Sequence, residues 1–310
     1  MADPIRNLDE LQVRVRQMVV GKGKVRVALV GADDAPSLEA LSRARGENLV
    51  EITLIGPQPA MREKVQQCGL SPDDFTLVDA DTPDKAVAEA AALTRDGRND
   101  FLIRGNIAAR DLLAGLLKAE AGFRRGKATI SHVAVFDHDN YPRLLLLSDA
   151  AVNVEPDINR KLAIIDNAVV VANRLSVAMP KVALLAAVEV IYPAMPVTME
   201  EAVIAKMCDK GQIKNCRIDG PLSMDVAVLP EVARQKGAVS AVAGEANILI
   251  APNIETGSGV YKAMALFSGA KTAGVVVGGR VPIAFPSRCD SAHNIYNSLT
   301  LAAFLSLSSR

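Results

Sequence analysis

The chain has 310 residues, half of them apolar, and its 35 Lys and Arg residues balance its 35 Asp and Glu residues. That length exceeds one ordinary core and predicts two domains or one large α/β domain. A net charge of zero and an aromatic content of 4% argue against a nucleic-acid-binding surface or a polybasic membrane binder.

Predicted helices and β-rich runs alternate along the first hundred residues. Apolar residues at helical spacing predict a helix beginning near Leu8, and Ser37 is the predicted N-cap of the helix LEALSRA. Strands are predicted at residues 25–31, 51–56, 75–79 and 101–104. This alternation predicts right-handed βαβ crossovers and a mainly parallel sheet covered by helices on both faces.

The pattern changes between residues 129 and 156. Two β-rich runs, 129–136 and 143–147, flank the turn-rich sequence DHDNYP and predict a hairpin in a mixed sheet. The segment after the hairpin is irregular, and we place a domain boundary there. The predicted first α/β domain comprises residues 1–149 and 288–310, and the second comprises 150–287.

The α/β alternation restarts after residue 156. Thr198 is the predicted cap of a helix, with Glu201 three residues further on as in a capping box. The predicted helices cover residues 157–177, 198–210, 226–234 and 260–268, and the predicted strands cover 182–188 and 247–251.

The last strand ends where a polar group begins. Ser287, Arg288 and Asp290 follow the apolar run that stops at Pro286, and helical spacing starts at Ile295. A helix N-terminus attracts anions, and a guanidinium suits phosphate. The alternative is an ordinary capped helix with a solvated Arg288.

Further polar residues lie near the ends of predicted strands, where ligands of open α/β sheets bind. They are Arg104, Ser131, His132, Asp149, Asn153, Asp219, Asn253, Tyr261 and Lys262. Each has a structural alternative, such as a capping or turn residue, a core histidine or a surface helix residue. The four cysteines and three histidines have no metal-ligand spacing, and neither a P-loop nor GxGxxG is present. The start of the chain lacks the apolar region of a signal peptide, and no apolar run is long enough to span a membrane, so we expect a cytoplasmic protein.

Taken together, these segments resemble the phosphate acetyl/butyryltransferase family, above all its butyryl-transferring members. The strongest motifs are PNIETGSGVYK at residues 252–262 and PSRCDS at residues 286–291. The resemblance implies two α/β domains similar to those of isocitrate and isopropylmalate dehydrogenases, with the active site in a cleft between them. It also implies the reaction acyl-CoA + phosphate ⇌ acyl phosphate + CoA, and a homodimer or larger homo-oligomer.

The resemblance also assigns roles to residues. The implied catalytic residues are Ser287, Arg288 and Asp290, the phosphate- or acyl-binding residues are Arg104, Ser131, Asp149 and Asn153, and the coenzyme A-binding residues are Asn253, Gly257, Tyr261 and Lys262. Coenzyme A is a substrate, and no cofactor or metal is expected. Cys289 stands where the family often has Ala, and Asn294 stands where related acetyltransferases carry an Asp proposed as the base. Either the general base of the acyl transfer is another group, with Asp290 as a candidate, or the acyl transfer needs no general base.

Three other functions compete with this prediction. Phosphate acetyltransferase differs in acyl chain length, which the sequence does not determine. A metal- and nicotinamide-dependent dehydrogenase of similar fold would need clustered aspartates, whereas those of this chain are scattered. An acyl-CoA-sensing domain would bind the thioester without transferring its acyl group.

Overall fold

The computed structural model describes residues 3–309 and forms two compact units, each built around a largely parallel sheet. The described helices are α1 Leu8–Lys22, α2 Ala35–Gly46, α3 Gln58–Gln67, α4 Pro83–Arg95, α5 Ala109–Leu116, α6 Ile158–Arg174, α7 Pro196–Asp209, α8 Met224–Val228, α9 Pro230–Gln235, α10 Ile254–Phe267 and α11 Ala292–Leu307. The described strands are β1 Val25–Val30, β2 Val50–Gly56, β3 Thr76–Asp79, β4 Phe101–Arg104, β5 Ser131–Asp137, β6 Leu145–Ser148, β7 Lys181–Leu185, β8 Arg217–Leu222, β9 Ile248–Ile250, β10 Lys271–Val277 and β11 Ile283–Ala284.

The first unit, called the terminal unit here, comprises Leu8–Ala128 and the described residues from Thr272 onward. Its strands lie in the order β3-β2-β1-β4-β11-β10. All neighbours are parallel except the antiparallel pair β10 and β11. The order reverses between β1 and β4, which is the place where an open α/β sheet leaves a crevice for a ligand.

The second unit, called the central unit, comprises Thr129–Lys271 and the described residues up to Asn7. Its strands lie in the order β5-β6-β9-β7-β8. β5 and β6 form the predicted antiparallel hairpin, and the other pairs are parallel. The α/β class is confirmed. The units divide the chain after residues 7, 128 and 271, whereas the predicted boundaries lie after residues 149 and 287. The hairpin β5–β6 joins β9 in the central unit, and β11 joins β4 in the terminal unit.

Helix α11 lies at the centre of the terminal unit. It packs against α1 and α2 and against strands β1, β4 and β11, and every residue from Ile295 to Leu307 is buried. Two of its polar residues form hydrogen bonds with neighbouring elements: Gln12 Nε2 donates to Asn297 Oδ1 (2.9 Å), and Ser298 Oγ accepts from Gly274 N (2.9 Å). The helix therefore fixes the segment that precedes it, which includes Ser287 and Arg288.

Several predicted helix boundaries are wrong for identifiable reasons. α2 begins two residues before Ser37, because Asp34 is its N-cap and accepts a hydrogen bond from Ser37 N (3.1 Å). α7 begins at Pro196, and Thr198 Oγ1 donates to Met195 O (2.8 Å) instead of capping the helix. Residues 226–234 do not form one helix, because Pro230 starts α9 after α8 has ended.

Among the described residues, no helix has the length and apolar character needed to cross a membrane.

A buried ionisable group lies on the first turns of α7. Glu201 is 1% exposed, and its Oε2 has no hydrogen-bond partner among the described residues. The nearby Lys161, 3% exposed, forms an ion pair with Glu200 (2.8 Å) rather than with Glu201. Burial raises the pKa of Glu201 to about 8, with Lys161 opposing the shift and Glu200 adding to it.

We predict that Glu201 makes the protein lose stability as the pH rises. The folded state holds a proton on Glu201 up to about pH 8, whereas the unfolded chain releases it near 4.5. The stabilising effect is complete below 4.5 and is lost as the pH rises through about 8. The free energy of unfolding, measured with urea between pH 4.5 and 9, should fall by a few kcal/mol more in the wild type than in Glu201→Gln. Equal pH dependence of the two proteins would contradict this assignment.

Candidate active site

A pocket of about 250 Å³ opens in the terminal unit where the adjacent strands β1, β4 and β11 end. Its walls come from the loops that follow these three strands, from the start of α2 and from the start of α11. The lining residues are Asp34, Pro36, Ser37, Arg104, Gly105, Asn106, Pro286, Ser287, Arg288, Asp290 and Ile295. The fold thus brings together four of the predicted site residues: Arg104, Ser287, Arg288 and Asp290.

Arg104 is the last residue of β4 and is only 8% exposed. Its Nε donates to Ile107 O (3.0 Å), its Nη1 donates to Pro286 O (3.1 Å), and its guanidinium lies 5.0 Å from the centre of the Phe285 ring. Burial lowers the pKa of Arg104; the positive charge of Arg288 lowers it further, and the negative charge of Asp34 opposes the shift. The two guanidinium groups are therefore close enough to repel each other in the pocket.

A tight turn presents Ser287 and Arg288. The backbone N–H of Ser287 donates to Asp290 Oδ2 (2.7 Å), and Asp290 N donates to Ser287 O (3.1 Å). Thr272 Oγ1 donates to the other oxygen, Asp290 Oδ1 (3.2 Å). Because both carboxylate oxygens accept hydrogen bonds from the protein, the geometry favours a role for Asp290 in positioning the turn over a role as a base. Arg288 is exposed beside it.

Cys289 and Asn294 lie on either side of Asp290 in the sequence. The Sγ of Cys289 is 3.2 Å from Ser287 Oγ, and the cysteine is exposed. Asn294 Oδ1 accepts from Thr272 N (3.1 Å), so its side chain holds β10 against the start of α11. This amide therefore has a structural role at the position where related acetyltransferases carry an aspartate.

Three polar residues of the pocket were not predicted as site residues: Asp34, Ser37 and Asn106. They follow β1 and β4, whose ends approach closely because both loops begin with glycine. A Cβ atom on Gly105 would lie 2.3 Å from Gly31 O, and Gly31 has a positive φ of 78°. Asp34 follows a predicted strand that ends in glycine, and the same signal identified polar residues after the other predicted strands. That signal could therefore have identified Asp34 as a site residue.

The central unit contains a second group of predicted residues: Ser131, Asp149 and Asn153. All three are at most 6% exposed. Asp149 accepts hydrogen bonds from the backbone N–H groups of Ala151, Val152, Asn153 and His132 and from the Asn153 side chain, at 2.6–3.3 Å.

The partners of this group are all protein atoms. Asn153 Nδ2 also donates to Ile130 O (2.9 Å), and Ser131 Oγ accepts from Asn167 Nδ2 (2.9 Å). A carboxylate with so many donors organises the chain around it. The geometry therefore favours a supporting role for these residues in the loop that follows β6.

Helix α10 begins six residues earlier than predicted, because Asn253 Oδ1 accepts from Thr256 N (3.0 Å) and caps it. Gly257 is in the second turn, where the helix meets the Asp149 segment: a Cβ atom on Gly257 would lie 2.1 Å from Asp149 O. Two of the residues predicted to bind coenzyme A therefore have structural roles: Asn253 caps α10, and Gly257 allows the helix to approach Asp149.

Tyr261 and Lys262 differ in exposure. Tyr261 is 5% exposed, packs in the core of the central unit, and lies edge-on to His132 with ring centres 6.0 Å apart. Lys262 is exposed, and its Nζ donates to Ser258 Oγ (2.8 Å). A contact between Tyr261 and coenzyme A would require the ring to leave the core, whereas Lys262 is accessible as it stands.

Comparisons with known proteins agree with this architecture. The sequence model of the phosphate acetyl/butaryl transferase family matches residues 82–303. The phosphate butyryltransferase of Clostridium beijerinckii is 39% identical over 300 residues, covering 97% of this chain and 98% of the relative. The phosphate acetyltransferase of Thermotoga maritima is 37% identical over 287 residues, covering 93% and 97%. The crystal structure of a branched-chain phosphotransacylase from Enterococcus faecalis superposes with a TM-score of 0.79 at 27% identity, covering 91% of this chain and 99% of that one.

The fold is that of an α/β protein with a pocket at the strand ends that is lined by two arginines and two aspartates. The family match covers more than half of the chain, and the two relatives cover nearly all of it. The chain belongs to the phosphate acetyl/butyryl transferase family.

We predict that Gly257→Ala destabilises the protein and that Gly259→Ala does not. The added methyl group at 257 would meet Asp149 O at 2.1 Å, whereas a methyl group at 259 has no neighbour within 4 Å. Overpacking costs about 1–3 kcal/mol, and replacing an exposed helical glycine by alanine gains up to about 1 kcal/mol. Chemical denaturation of the two variants measures both effects. Equal stability of the variants would mean that α10 does not depend on this close approach.

Proposed function

We propose that the chain is a phosphate acyltransferase that interconverts acyl-CoA plus phosphate with acyl phosphate plus CoA, with butyryl-CoA as the preferred acyl donor. The observation that carries this proposal is the pair of guanidinium groups, Arg104 and Arg288, that line one pocket beside Ser287. Membership of the phosphate acetyl/butyryl transferase family supports the same reaction class.

The two arginines hold the phosphate. Both substrates of each direction carry phosphate groups, so the site must offset like-charge repulsion before the reacting atoms can meet. Arg104 presents a guanidinium whose position is fixed by two backbone carbonyls, and Arg288 approaches from the turn after β11. A guanidinium keeps its charge at neutral pH and offers several donors in one plane, which suits phosphate oxygens.

The acyl group moves directly between sulfur and oxygen. In one direction the deprotonated thiol of CoA attacks the acyl carbon, a tetrahedral oxyanion forms, and the bond to the phosphate oxygen breaks. In the reverse direction a phosphate oxygen attacks the thioester, and the thiolate leaves. Ser287 and Arg288 are the donors that we assign to the developing oxyanion, since preorganised donors are often the largest catalytic contribution. Holding both substrates in one complex supplies the orientation.

The residues of the central unit support the substrates less directly. Ser131, Asp149 and Asn153 are buried and hydrogen-bonded to protein groups, so we assign them to positioning the loop after β6. Lys262, exposed on α10, is the residue of that helix that we assign to a phosphate of coenzyme A. Asn253 and Gly257 shape the start of α10.

The acyl chain length is the least constrained part of the proposal. Similarity to the butyryltransferase of C. beijerinckii favours butyryl-CoA, and similarity to the branched-chain phosphotransacylase of E. faecalis favours an acyl group larger than acetyl. The acetyltransferase of T. maritima is almost as similar in sequence. Acetyl transfer is therefore the second candidate function.

We predict that phosphate releases free CoA from butyryl- or isobutyryl-CoA faster than from acetyl- or propionyl-CoA. The measurement is thiol release with each of the four thioesters, with and without inorganic phosphate, in the absence of added metal and NAD. A higher kcat/KM for acetyl-CoA would change the assignment to phosphate acetyltransferase. Binding of acyl-CoA without phosphate-dependent thiol release would indicate a sensing domain instead.

We predict that Arg288→Ala lowers turnover by at least about 100-fold, because removing one preorganised donor to an oxyanion typically costs ~10²–10³ in rate. Cys289→Ala is the matched control, since this neighbouring side chain has no assigned role and alanine is common there in the family. Near-wild-type turnover by Arg288→Ala would remove Arg288 from the mechanism. An inactive Cys289→Ala would point to an acyl-enzyme on the thiol.

A further inference from the structure

Helix α2 begins in the wall of the pocket that Arg104 and Arg288 line. Asp34 caps this helix of 12 residues, and Asp34, Pro36 and Ser37 all line the pocket with Arg104 and Arg288. The first turn of a helix carries backbone N–H groups and a partial positive charge, so it adds to the attraction for an anion. The reaction proposed above assigns no role to these residues of α2.

Ser37 has an unexplained hydroxyl group. The residue is 1% exposed, and its Oγ has no hydrogen-bond partner among the residues that the structure describes. A buried hydroxyl without a partner is unfavourable by about the desolvation cost of the group, and alanine would avoid that cost while favouring the helix. The serine is therefore a poor choice for stability alone at this position.

The charges of the pocket make an uncharged donor useful. Two arginines and two aspartates line it, so the formal charges of Arg104, Arg288, Asp34 and Asp290 cancel. Both oxygens of Asp290 accept hydrogen bonds from Ser287 N and Thr272 Oγ1, and Asp34 Oδ2 accepts from Ser37 N. An anion in this pocket is held by the placement of individual donors, and not by a net positive charge.

We propose that Ser37 is a phosphate-binding residue, whose hydroxyl donates a hydrogen bond to an oxygen of the phosphate or acyl phosphate that Arg104 and Arg288 hold. The ligand completes the hydrogen bonding that the folded chain leaves open. This inference rests on the proposed function for its substrate, and it adds the first turn of α2 to the site.

The test compares Ser37→Ala with Ser42→Ala, which is the same substitution on the same helix at a half-buried position outside the pocket. Ser37→Ala should raise the KM for inorganic phosphate about tenfold, because a lost hydrogen bond to a charged group has effects of that size. The KM for acyl-CoA should stay at the wild-type value, and the thermal midpoint should not fall below that of the wild type. Ser42→Ala should leave both KM values unchanged.

A binding measurement keeps this inference separate from the proposed reaction. Inorganic phosphate should raise the thermal midpoint of all three proteins. Ser37→Ala should need about tenfold more phosphate than the wild type or Ser42→Ala for the same increase. That result would stand even if the wild type released no thiol, in which case the proposed reaction alone would fail. Wild-type phosphate affinity in Ser37→Ala would overturn the inference. So would a fall in its thermal midpoint with both KM values raised together, because that pattern indicates a structural role.

Discussion

The site depends on the burial of one charged group at the end of a strand. A buried guanidinium is tolerated only where its donors find acceptors, and Arg104 donates to Ile107 O in its own loop and to Pro286 O in the loop after β11. These bonds join two loops that are 182 residues apart in the chain. The same bonds restrict the guanidinium to one position in the pocket. The hydrogen bonds that hold Arg104 in place are therefore also the bonds that join the two loops of the pocket wall.

Three carboxylates beside strand ends organise backbone, and this limits the choice of catalytic groups. Asp290 holds the turn that carries Ser287, Asp34 caps α2, and Asp149 gathers the loop after β6. The oxygens of these carboxylates are engaged by donors of the protein itself. The proposed reaction therefore relies on donors aimed at anions, which suits an exchange between two anionic partners, and less on general base catalysis.

Periodicity predicted the strands and the α/β class because a parallel sheet buries continuous apolar runs that stand out in any sequence. It failed where one local interaction decides a boundary. Asn253 starts α10 within a sequence containing Gly257 and Gly259, whose weak helix propensity hides the helix. Asp34 displaces Ser37 as a cap, and Thr198 bonds to Met195 O inside α7. The boundaries of the units depend on which strands pair with each other, and the local sequence pattern does not encode that pairing.

The resemblance to a family marked positions without distinguishing ligand-binding residues from those that support them. Burial and hydrogen bonding supply that distinction. Asp149 and Tyr261 belong to motifs of the family, yet one is saturated with protein donors and the other packs in a core. Ser37 belongs to none of those motifs, yet its hydroxyl lacks a partner on the wall of the pocket. A polar atom left unsatisfied beside a pocket is unfavourable in the free protein, so it is a stronger sign of a ligand than a polar atom whose hydrogen bonds are complete.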